Sequence, residues 1–499
     1  MPLTARQFTA SKEKPAGLLP SLGLFTMVMM TIGGVIGSGI FRKPGVMASQ
    51  IGSPELLLGV WLLAGVMTLF GALTNAELAG MIPETGGQYV YFERMFGPFV
   101  AYLYGWAVFA VMQTGSIAAV AYVFAEYSTQ FVALPLASPA LAAWSFHLPF
   151  IGDVAPFKEL GIKAVAAVVI VVLTAINYIG VKFGGMVQNI FTIAKVSAMG
   201  LLVAAAMLLP NGARLSHLTT SSALIHPTGF ALFAGIAAAL QGAFWAYDGW
   251  NKITYIAGEV RDPQRTLPRA LVLGMLIVTA IYLIINAAYS YVLPIDAMAK
   301  SKLVAADVAE KCFAGGGKWI ALGVMISTFG TANATILASA RVYFSMSRRN
   351  VFPQFLGRAH PRFHTPAASL LVQGLWSVLL LFSGTFDTLT DTLIFVSWIF
   401  YAASAYGVFV LRRKEPATPR PYKVPGYPIV PWIFILFASA YLVFTVYDDI
   451  TGYQAAVAAG KAALINSVFG VALVLVGAPI YFFYRYTKQD AGAEREPSL

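Results

Sequence analysis

The sequence predicts an all-α polytopic membrane protein with twelve transmembrane helices, of which the first and the sixth are broken. The prediction rests on composition, on recurring uncharged stretches and on clustered glycines. Of 499 residues, 58% are hydrophobic and only 11% are charged, whereas soluble proteins average roughly 45–50% apolar and about 25% charged residues. Such a composition is typical of a chain that folds in a lipid bilayer.

The uncharged stretches are long enough to cross a membrane, which takes about 20 apolar residues. They recur at about 22–41, 55–80, 99–125, 164–181, 189–210, 229–251, 270–294, 319–340, 367–384, 392–411, 430–447 and 464–484. The residues before the first stretch are polar and no small-residue cleavage site follows it. We therefore expect the first span to be retained.

The basic residues indicate how the chain is oriented. A net charge of +11 is compatible with nucleic-acid binding, but Lys and Arg in membrane proteins first mark the cytoplasmic loops. Of 33 such residues, 21 fall on the side of the termini, Arg341 among them, and 10 on the opposite side. We expect both termini to be cytoplasmic, the location to be the plasma (inner) membrane, and the partner to be the lipid bilayer rather than nucleic acid.

No long linker divides the chain, so residues 1–499 are expected to form a single transmembrane domain. Its predicted parts are a cytoplasmic N-terminal tail at 1–21, two inverted five-helix repeats at 22–411, two extra helices at 430–484 and a cytoplasmic tail at 485–499. The repeats are inferred from matching interruptions, because sites in such folds form where equivalent helices are unwound. The interrupting glycines are Gly33, Gly34, Gly37 and Gly39 in span one and Gly235, Gly242 and Gly249 in span six.

The glycines of span one have two interpretations. Each Gly costs roughly 0.5–1 kcal/mol against Ala in a helix, so a cluster of them favours an unwound segment. Alternatively, small residues let two helices pack closely, as in the Gly-x-x-x-Gly pattern. The neighbouring Ser38 and the matching interruption in span six favour the break.

A break at membrane depth would present both polar ends of the backbone to one small ligand. Amides at the start of the outer half-helix favour an anion, and carbonyls at the end of the inner half-helix favour a cation. A zwitterionic amino acid carries both charges. The expected contacts are its carboxylate with the amides of Gly37, Ser38 and Gly39, and its ammonium with carbonyls near Val35 and Ile36.

Span six would supply the opposite wall with Trp245, Ala246, Tyr247 and Asp248. Trp245 is placed to cover the ligand, although aromatic residues in membrane proteins commonly form core or interfacial belts. A carboxylate inside a span is costly and indicates function, so a free Asp248 would attract a cationic side chain. The alternative is a local ion pair with Lys252, four residues further on.

Lys195, in span five, also has two interpretations. Its long side chain could snorkel to the cytoplasmic face. Alternatively, its ammonium could be held between spans one and eight, in the place that a sodium ion takes in related folds. The second arrangement would make the protein independent of sodium.

Other functional classes leave little trace in the sequence. It has no His-Glu-x-x-His, no Gly-x-Ser-x-Gly, no Walker loop and no Cys/His ligand set. We therefore expect no enzyme, no metal site, no cofactor and no ATP-driven pump. A membrane sensor or a channel remains the alternative from a different class.

Five motifs in family order resemble the amino acid–polyamine–organocation (APC) superfamily, and within it the L-type amino acid transporter (LAT) branch and its bacterial members. The resemblance covers nearly the whole chain. The motifs are Gly37-Ser38-Gly39-Ile40-Phe41, Pro83-Glu84-Thr85-Gly86-Gly87-Gln88-Tyr89, Tyr247-Asp248-Gly249-Trp250-Asn251, Asp262-Pro263-Gln264-Arg265-Thr266-Leu267-Pro268, and Gly330-Thr331-Ala332-Asn333 followed by Ser339-Ala340-Arg341.

The resemblance implies a 5+5 inverted repeat of the LeuT type, alternating access, and sodium-independent uptake or exchange of amino acids, with neutral and cationic substrates both open. It also favours the bridging interpretation of Lys195, with carbonyls of span one and a hydroxyl of span eight as partners. Ser327 and Thr328 are the candidate hydroxyls. Trp245 falls where the family places an aromatic gate. An ion-coupled symporter is the alternative within the same class.

Two departures from the family pattern bear on partners and substrates. Animal members hold a single-span glycoprotein through a cysteine in the loop between spans three and four, but the loop at 132–160 contains none. No disulfide-linked heavy-chain subunit is therefore expected. Many members for neutral substrates have a small residue at the position of Asp248, whereas the member for cystine and dibasic amino acids has aspartate there, so the charge of the substrate stays open.

Overall fold

The computed structural model describes residues 18–148, 152–209, 212–383, 386–459 and 465–493. The predicted tails at 1–21 and 485–499 therefore lie partly outside the described residues. Within the described residues the regular structure is helical, apart from one antiparallel hairpin of β1 (Phe146–Leu148) and β2 (Gly152–Val154).

The described part of the first half of the chain contains nine α-helices. They are α1 (Leu24–Val35), α2 (Gly39–Ile51), α3 (Pro54–Met81), α4 (Gln88–Phe96), α5 (Pro98–Ala107), α6 (Gln113–Ser128), α7 (Pro139–Ala142), α8 (Leu160–Ile179) and α9 (Val181–Leu208). A π-helical turn, Val108–Met112, joins α5 to α6. Predicted span one thus consists of α1 and α2, and predicted span three of α5, the π-helical turn and α6.

The second half contains ten further α-helices in the described residues. They are α10 (Gly229–Tyr247), α11 (Pro263–Val292), α12 (Ile295–Lys300), α13 (Val304–Cys312), α14 (Gly316–Arg348), α15 (Ala367–Ser383), α16 (Phe386–Lys414), α17 (Ile429–Ala458), α18 (Asn466–Leu475) and α19 (Gly477–Ala493). Short 3-10 helices cover Leu215–Leu218, Lys252–Glu259 and Gln354–Gly357.

By length and composition, eleven helical segments of the described chain could cross a membrane. The protein is therefore a multi-pass membrane protein. The ninth predicted span, 367–384, corresponds to α15, whose apolar part Ala367–Phe382 is shorter than the other eleven. The count of twelve spans and the inverted repeat stay predictions.

The helices that carry the broken segments are held at the centre of the molecule. The first half-helix, α1, packs against α9, α11 and α14, while α2 packs against α10. In α14, 78% of the apolar 18-residue stretch that could cross the membrane is buried, whereas in α17 only 28% of the corresponding stretch is buried. Because α17 exposes large apolar side chains, it belongs to the lipid-facing periphery, and α14 belongs to the core.

A buried ion pair lies near the end of the bundle that is predicted to be cytoplasmic. Arg341 binds Glu259 through two nitrogens, at 2.7 and 3.1 Å, and both side chains are fully buried. The prediction that Arg341 lies in a loop is wrong, because α14 extends past it to Arg348. Nearby, Leu22 and Val260 form a parallel bridge, which joins the start of predicted span one to the segment that follows predicted span six.

Replacing Arg341 by Met should strongly destabilise the protein, because it leaves the Glu259 carboxylate buried without its partner. Breaking a buried pair in this way costs roughly 3–5 kcal/mol. We expect a clear fall in the thermal unfolding midpoint of purified protein in detergent.

Two further variants control for this interpretation. Arg269→Met removes an exposed arginine at the start of α11 and should leave the midpoint nearly unchanged. Arg341→Met combined with Glu259→Met removes both charges and should regain much of the lost stability. An Arg341→Met midpoint equal to that of Arg269→Met would show that the pair contributes nothing.

Candidate functional site

The predicted break in span one is present. The helix α1 ends at Val35 and α2 begins at Gly39, with Ile36 in an extended conformation (φ −69°, ψ 95°). No acceptor among the described residues meets the N–H groups of Gly37, Ser38 and Gly39. The Ser38 hydroxyl is buried and has no hydrogen-bond partner there either. The start of α2 therefore offers a set of unpaired donors at the positive end of a helix.

The glycines of span one also pack closely, so both interpretations of the cluster apply to different residues. A Cβ added at Gly39 would lie 2.6 Å from Ala246 Cα, and one at Gly33 would lie 2.1 Å from Gln188 Nε2. Both distances are too short for a real side chain. Gly39 thus lets α2 approach the backbone of α10, Gly33 leaves room for the Gln188 side chain, and Gly37 belongs to the unwound segment.

The predicted break in span six is present at Gly249, but Gly235 and Gly242, also named as interrupting glycines, lie inside the continuous helix α10. The helix α10 ends at Tyr247, Asp248 is extended (φ −65°, ψ 154°), and Gly249 has φ of 99°. That positive φ is a conformation that glycine adopts at no steric cost. The chain resumes as the 3-10 helix Lys252–Glu259.

The two breaks face each other and are tied together by α11. The Tyr282 hydroxyl lies 2.8 Å from the Ala246 carbonyl and 3.3 Å from the Val35 carbonyl. These carbonyls end α10 and α1, where helices leave acceptors unsatisfied. One tyrosine thereby fixes the distance between the two unwound segments.

A small cavity of about 20 Å³ lies between the breaks, room for about one water molecule. Its lining includes six of the predicted substrate-binding residues, namely Val35, Gly37, Ser38, Gly39, Trp245 and Asp248. The other three predicted residues do not line it. The Ile36 carbonyl accepts from Lys195, Ala246 packs against Gly39, and the Tyr247 hydroxyl donates to the Trp61 carbonyl at 3.1 Å.

Sequence reasoning missed five residues of the lining, which are Gly34, Ser116, Val120, Lys252 and Thr331. Ser116 lies in α6, in the polar run Gln113-Thr114-Gly115-Ser116 of an otherwise apolar span. That run was a usable signal, because polar groups inside a span face the bundle interior or a cavity. Val120 carries no such signal, since an apolar residue in an apolar helix is indistinguishable from its neighbours.

Asp248 is neither free nor held only by Lys252. Its Oδ1 accepts a hydrogen bond from the Tyr401 hydroxyl at 2.7 Å, and its Oδ2 lies 3.8 Å from Lys252 Nζ. Lys252 in turn donates to the Thr335 hydroxyl at 3.1 Å. Both charged residues are nearly buried and line the same cavity, so one carboxylate and one ammonium are fixed on its wall.

Lys195 does not snorkel to a membrane surface. It is fully buried, and its Nζ donates to the carbonyls of Gly33, Ile36 and Ser327 at 3.0, 2.6 and 2.9 Å. The Thr331 hydroxyl, 3.0 Å away, completes the set. The ammonium sits at the carboxyl end of α1, where the helix dipole favours a cation, and joins the break to α14.

The hydroxyl that meets Lys195 belongs to Thr331, so the two candidates named from the sequence need correction. Ser327 contributes its carbonyl to Lys195, while its hydroxyl lies 3.2 Å from the Ile36 carbonyl. Thr328 bonds instead to the Val324 carbonyl of its own helix. Residues four apart share one face of a helix, so Ser327 and Thr331 face Lys195 and Thr328 points about 100° away.

Two opposed helix breaks around a polar cavity, with a buried ammonium at one of them, define a class of membrane permeases with discontinuous helices. Comparison with protein families identifies the family within this class. The model of the amino acid permease family matches residues 22–478. The chain therefore belongs to the amino acid permeases of the APC superfamily, and it is related to the LAT branch.

Characterised relatives are similar along most of their length. The serine/threonine exchanger SteT of Bacillus subtilis is 32% identical over 471 residues, covering 93% of this chain and 97% of SteT. The human b(0,+)-type amino acid transporter 1 is 30% identical over 439 residues, covering 88% and 85%. The human large neutral amino acids transporter small subunit 2 is 31% identical over 483 residues, covering 96% and 83%.

Thr331→Val should destabilise the protein more than Thr328→Val does. The Thr331 hydroxyl lies within 3.0 Å of Lys195 Nζ and of the carbonyls of Gly33 and Ile36, so its loss leaves buried polar groups short of a partner. Such a loss costs roughly 1–3 kcal/mol. Thermal unfolding of both variants in detergent measures the difference, and equal midpoints would contradict the assigned role of Thr331.

Proposed function

We propose that the protein is a sodium-independent exchanger of L-amino acids that works by alternating access and accepts neutral and cationic substrates. The observation that carries the proposal is the break of span one, where unpaired amides of α2 and terminal carbonyls of α1 lie beside one cavity. These two groups complement the carboxylate and the ammonium of an amino acid.

The substrate backbone would lie across the break. Its carboxylate would accept from the amides of Gly37, Ser38 and Gly39, which have no other acceptor among the described residues. Its ammonium would donate to the carbonyls of Gly34 and Val35, which Lys195 does not use. Since the cavity of about 20 Å³ is smaller than any amino acid, spans one and six would separate to admit the substrate and close around it.

The side-chain end of the site would be formed by residues of span six. Trp245 lines the cavity and would cover the substrate as a gate. Asp248 lies on the same wall, and its carboxylate would attract the cationic side chain of Arg or ornithine. Lys252 limits that attraction, because its ammonium is 3.8 Å from the carboxylate.

Lys195 is proposed to replace a coupling ion. Its ammonium is surrounded by three carbonyls and a hydroxyl, which are the oxygen ligands that hard cations prefer. A charge fixed to the protein at this point leaves no room for a sodium ion. It would link each movement of span one to α14, and so couple closure of the site to alternating access.

The remaining features of the proposal follow from the sequence and the relatives. SteT is named an exchanger and the human small subunit 2 a transporter of neutral amino acids, which supports exchange and neutral substrates here. We also propose twelve spans in a LeuT-type 5+5 repeat, cytoplasmic termini and a plasma-membrane location. No disulfide-linked heavy chain is proposed, because the loop at 132–160 has no cysteine.

Transport by purified protein in liposomes tests the function. A panel of twenty radiolabelled amino acids plus ornithine should include substrates whose uptake saturates and needs an amino acid inside the vesicle. Uptake should be unchanged when choline replaces sodium. Failure of every amino acid to bind or cross would overturn the proposal, sodium-dependent uptake would assign a symporter, and non-saturating current would assign a channel.

Lys195→Ala should slow exchange about tenfold or more while weakening substrate binding much less. The substitution removes hydrogen bonds to a charged group, each contributing about 1.5–3 kcal/mol, at the junction of span one and α14. The measurements are the exchange rate in proteoliposomes and the equilibrium dissociation constant in detergent. Lys318→Ala, at an exposed lysine near the start of α14, is the control. Equal losses of binding and rate would count against the coupling role.

Asp248→Asn should lower uptake of Arg and ornithine about tenfold and spare neutral substrates. Asparagine keeps an acceptor for the Tyr401 hydroxyl but removes the negative charge, and a charged hydrogen bond contributes about 1.5–3 kcal/mol. Competition assays in proteoliposomes give the ratio of cationic to neutral uptake. Tyr401→Phe removes the hydrogen bond but keeps the charge, and should preserve that ratio. An equal loss for neutral substrates would make Asp248 structural.

A further inference from the structure

An apolar groove of about 540 Å³ runs between α8 and α15 on the outside of the bundle. We call it the α8–α15 groove. It is lined from α8 by residues that include Val171 and Ala175, and from α15 by residues that include Leu371 and Leu375. These side chains face outwards, since Val171 is 61% and Leu375 64% exposed.

The groove spans one half of the membrane. On α8 it extends from Ile170 to the helix end at Ile179, which is about 15 Å at 1.5 Å per residue. This is half of the roughly 30 Å hydrocarbon core. On α15 it extends from Leu371 to Val378, in the middle of the helix. Its depth matches one leaflet and is too short for a helix that crosses the whole bilayer.

A loop that contains basic and aromatic residues lies at the end of the groove near Tyr178. The Tyr178 ring, which lines the groove, packs against His360 at 5.4 Å and Phe363 at 5.9 Å between ring centroids. In the same loop, Arg358 and Arg362 are exposed. Neither the helices α8 and α9 nor residues 351–386 contain Asp or Glu, so those segments give the two arginines no carboxylate partner.

We propose that the α8–α15 groove binds an acyl chain of an anionic glycerophospholipid from the cytoplasmic leaflet, with Arg358 and Arg362 pairing with its phosphate-bearing headgroup. Basic residues next to the inner leaflet attract anionic lipids. Tyr178 lies between the apolar groove and the loop, the level at which aromatic rings meet the lipid ester region. The site lies outside the substrate cavity, so it goes beyond the proposed transport function.

Native mass spectrometry of the purified full chain with phosphatidylglycerol or phosphatidylcholine of identical acyl chains tests the proposal. The wild type should bind phosphatidylglycerol about tenfold more tightly, as expected for two arginines near an anionic headgroup. Ala175→Trp fills the groove from an exposed position and should abolish this binding. Val168→Trp, on an exposed position of α8 outside the groove, should not.

Two double variants test whether binding requires the charges of Arg358 and Arg362. Arg358→Gln with Arg362→Gln should reduce phosphatidylglycerol binding about tenfold, to the level of phosphatidylcholine. Arg265→Gln with Arg269→Gln removes two exposed arginines at the start of α11 and should leave the preference intact. Leu375→Trp fills the groove from α15 and gives an independent test should Ala175→Trp fail to fold.

Three outcomes would overturn the proposal. The first is equal affinity for the two lipids in the wild type. The second is undiminished phosphatidylglycerol binding by both groove-filling variants. The third is a wild-type dimer that Ala175→Trp converts to a monomer in the same spectra, which would assign the groove to a second copy of the chain.

Discussion

The arrangement of the site depends on one buried ammonium. Breaking span one leaves the carbonyls of Gly33 and Ile36 without helical donors in the interior of the bundle, and Lys195 satisfies both. A buried charge is tolerated only when it is fully paired, and Ser327 and Thr331 complete the pairing from α14. The broken end of α1 and the central helix thus require each other, because each supplies polar groups that the other must satisfy.

Tyr282 also satisfies carbonyls at the breaks, but with a neutral hydroxyl group. Its hydroxyl lies between the Val35 and Ala246 carbonyls, so the two breaks are tied through α11 as well as through direct contact at Gly39. Lys195 and Tyr282 hold span one from two directions. Gly37 to Gly39, whose amides have no acceptor among the described residues, line the cavity, so their position is set before any ligand arrives.

Local patterns in the sequence were enough to predict the breaks, the membrane class and six of the cavity residues. A glycine cluster weakens a helix locally, and an uncharged stretch favours the bilayer by its own composition. Both signals can therefore be read from a single sequence. Thr331 was missed because choosing among hydroxyls of α14 needs the rotation of that helix. The state of Asp248 was open because Tyr401 lies 153 residues away. Arg341 was placed in a loop because its buried partner, Glu259, lies 82 residues away in sequence and no local pattern indicates the pairing.

The fixed position of Lys195 has a consequence for energetics under the proposed mechanism. An ammonium bound to the protein cannot leave with the substrate, so exchange of two neutral amino acids moves no net charge across the membrane. The membrane potential supplies about 2.3 kcal/mol per charge per 100 mV only to charges that cross. Accumulation of a neutral amino acid would then be set by the gradient of its counter-substrate, whereas exchange of a cationic for a neutral one would draw on the potential.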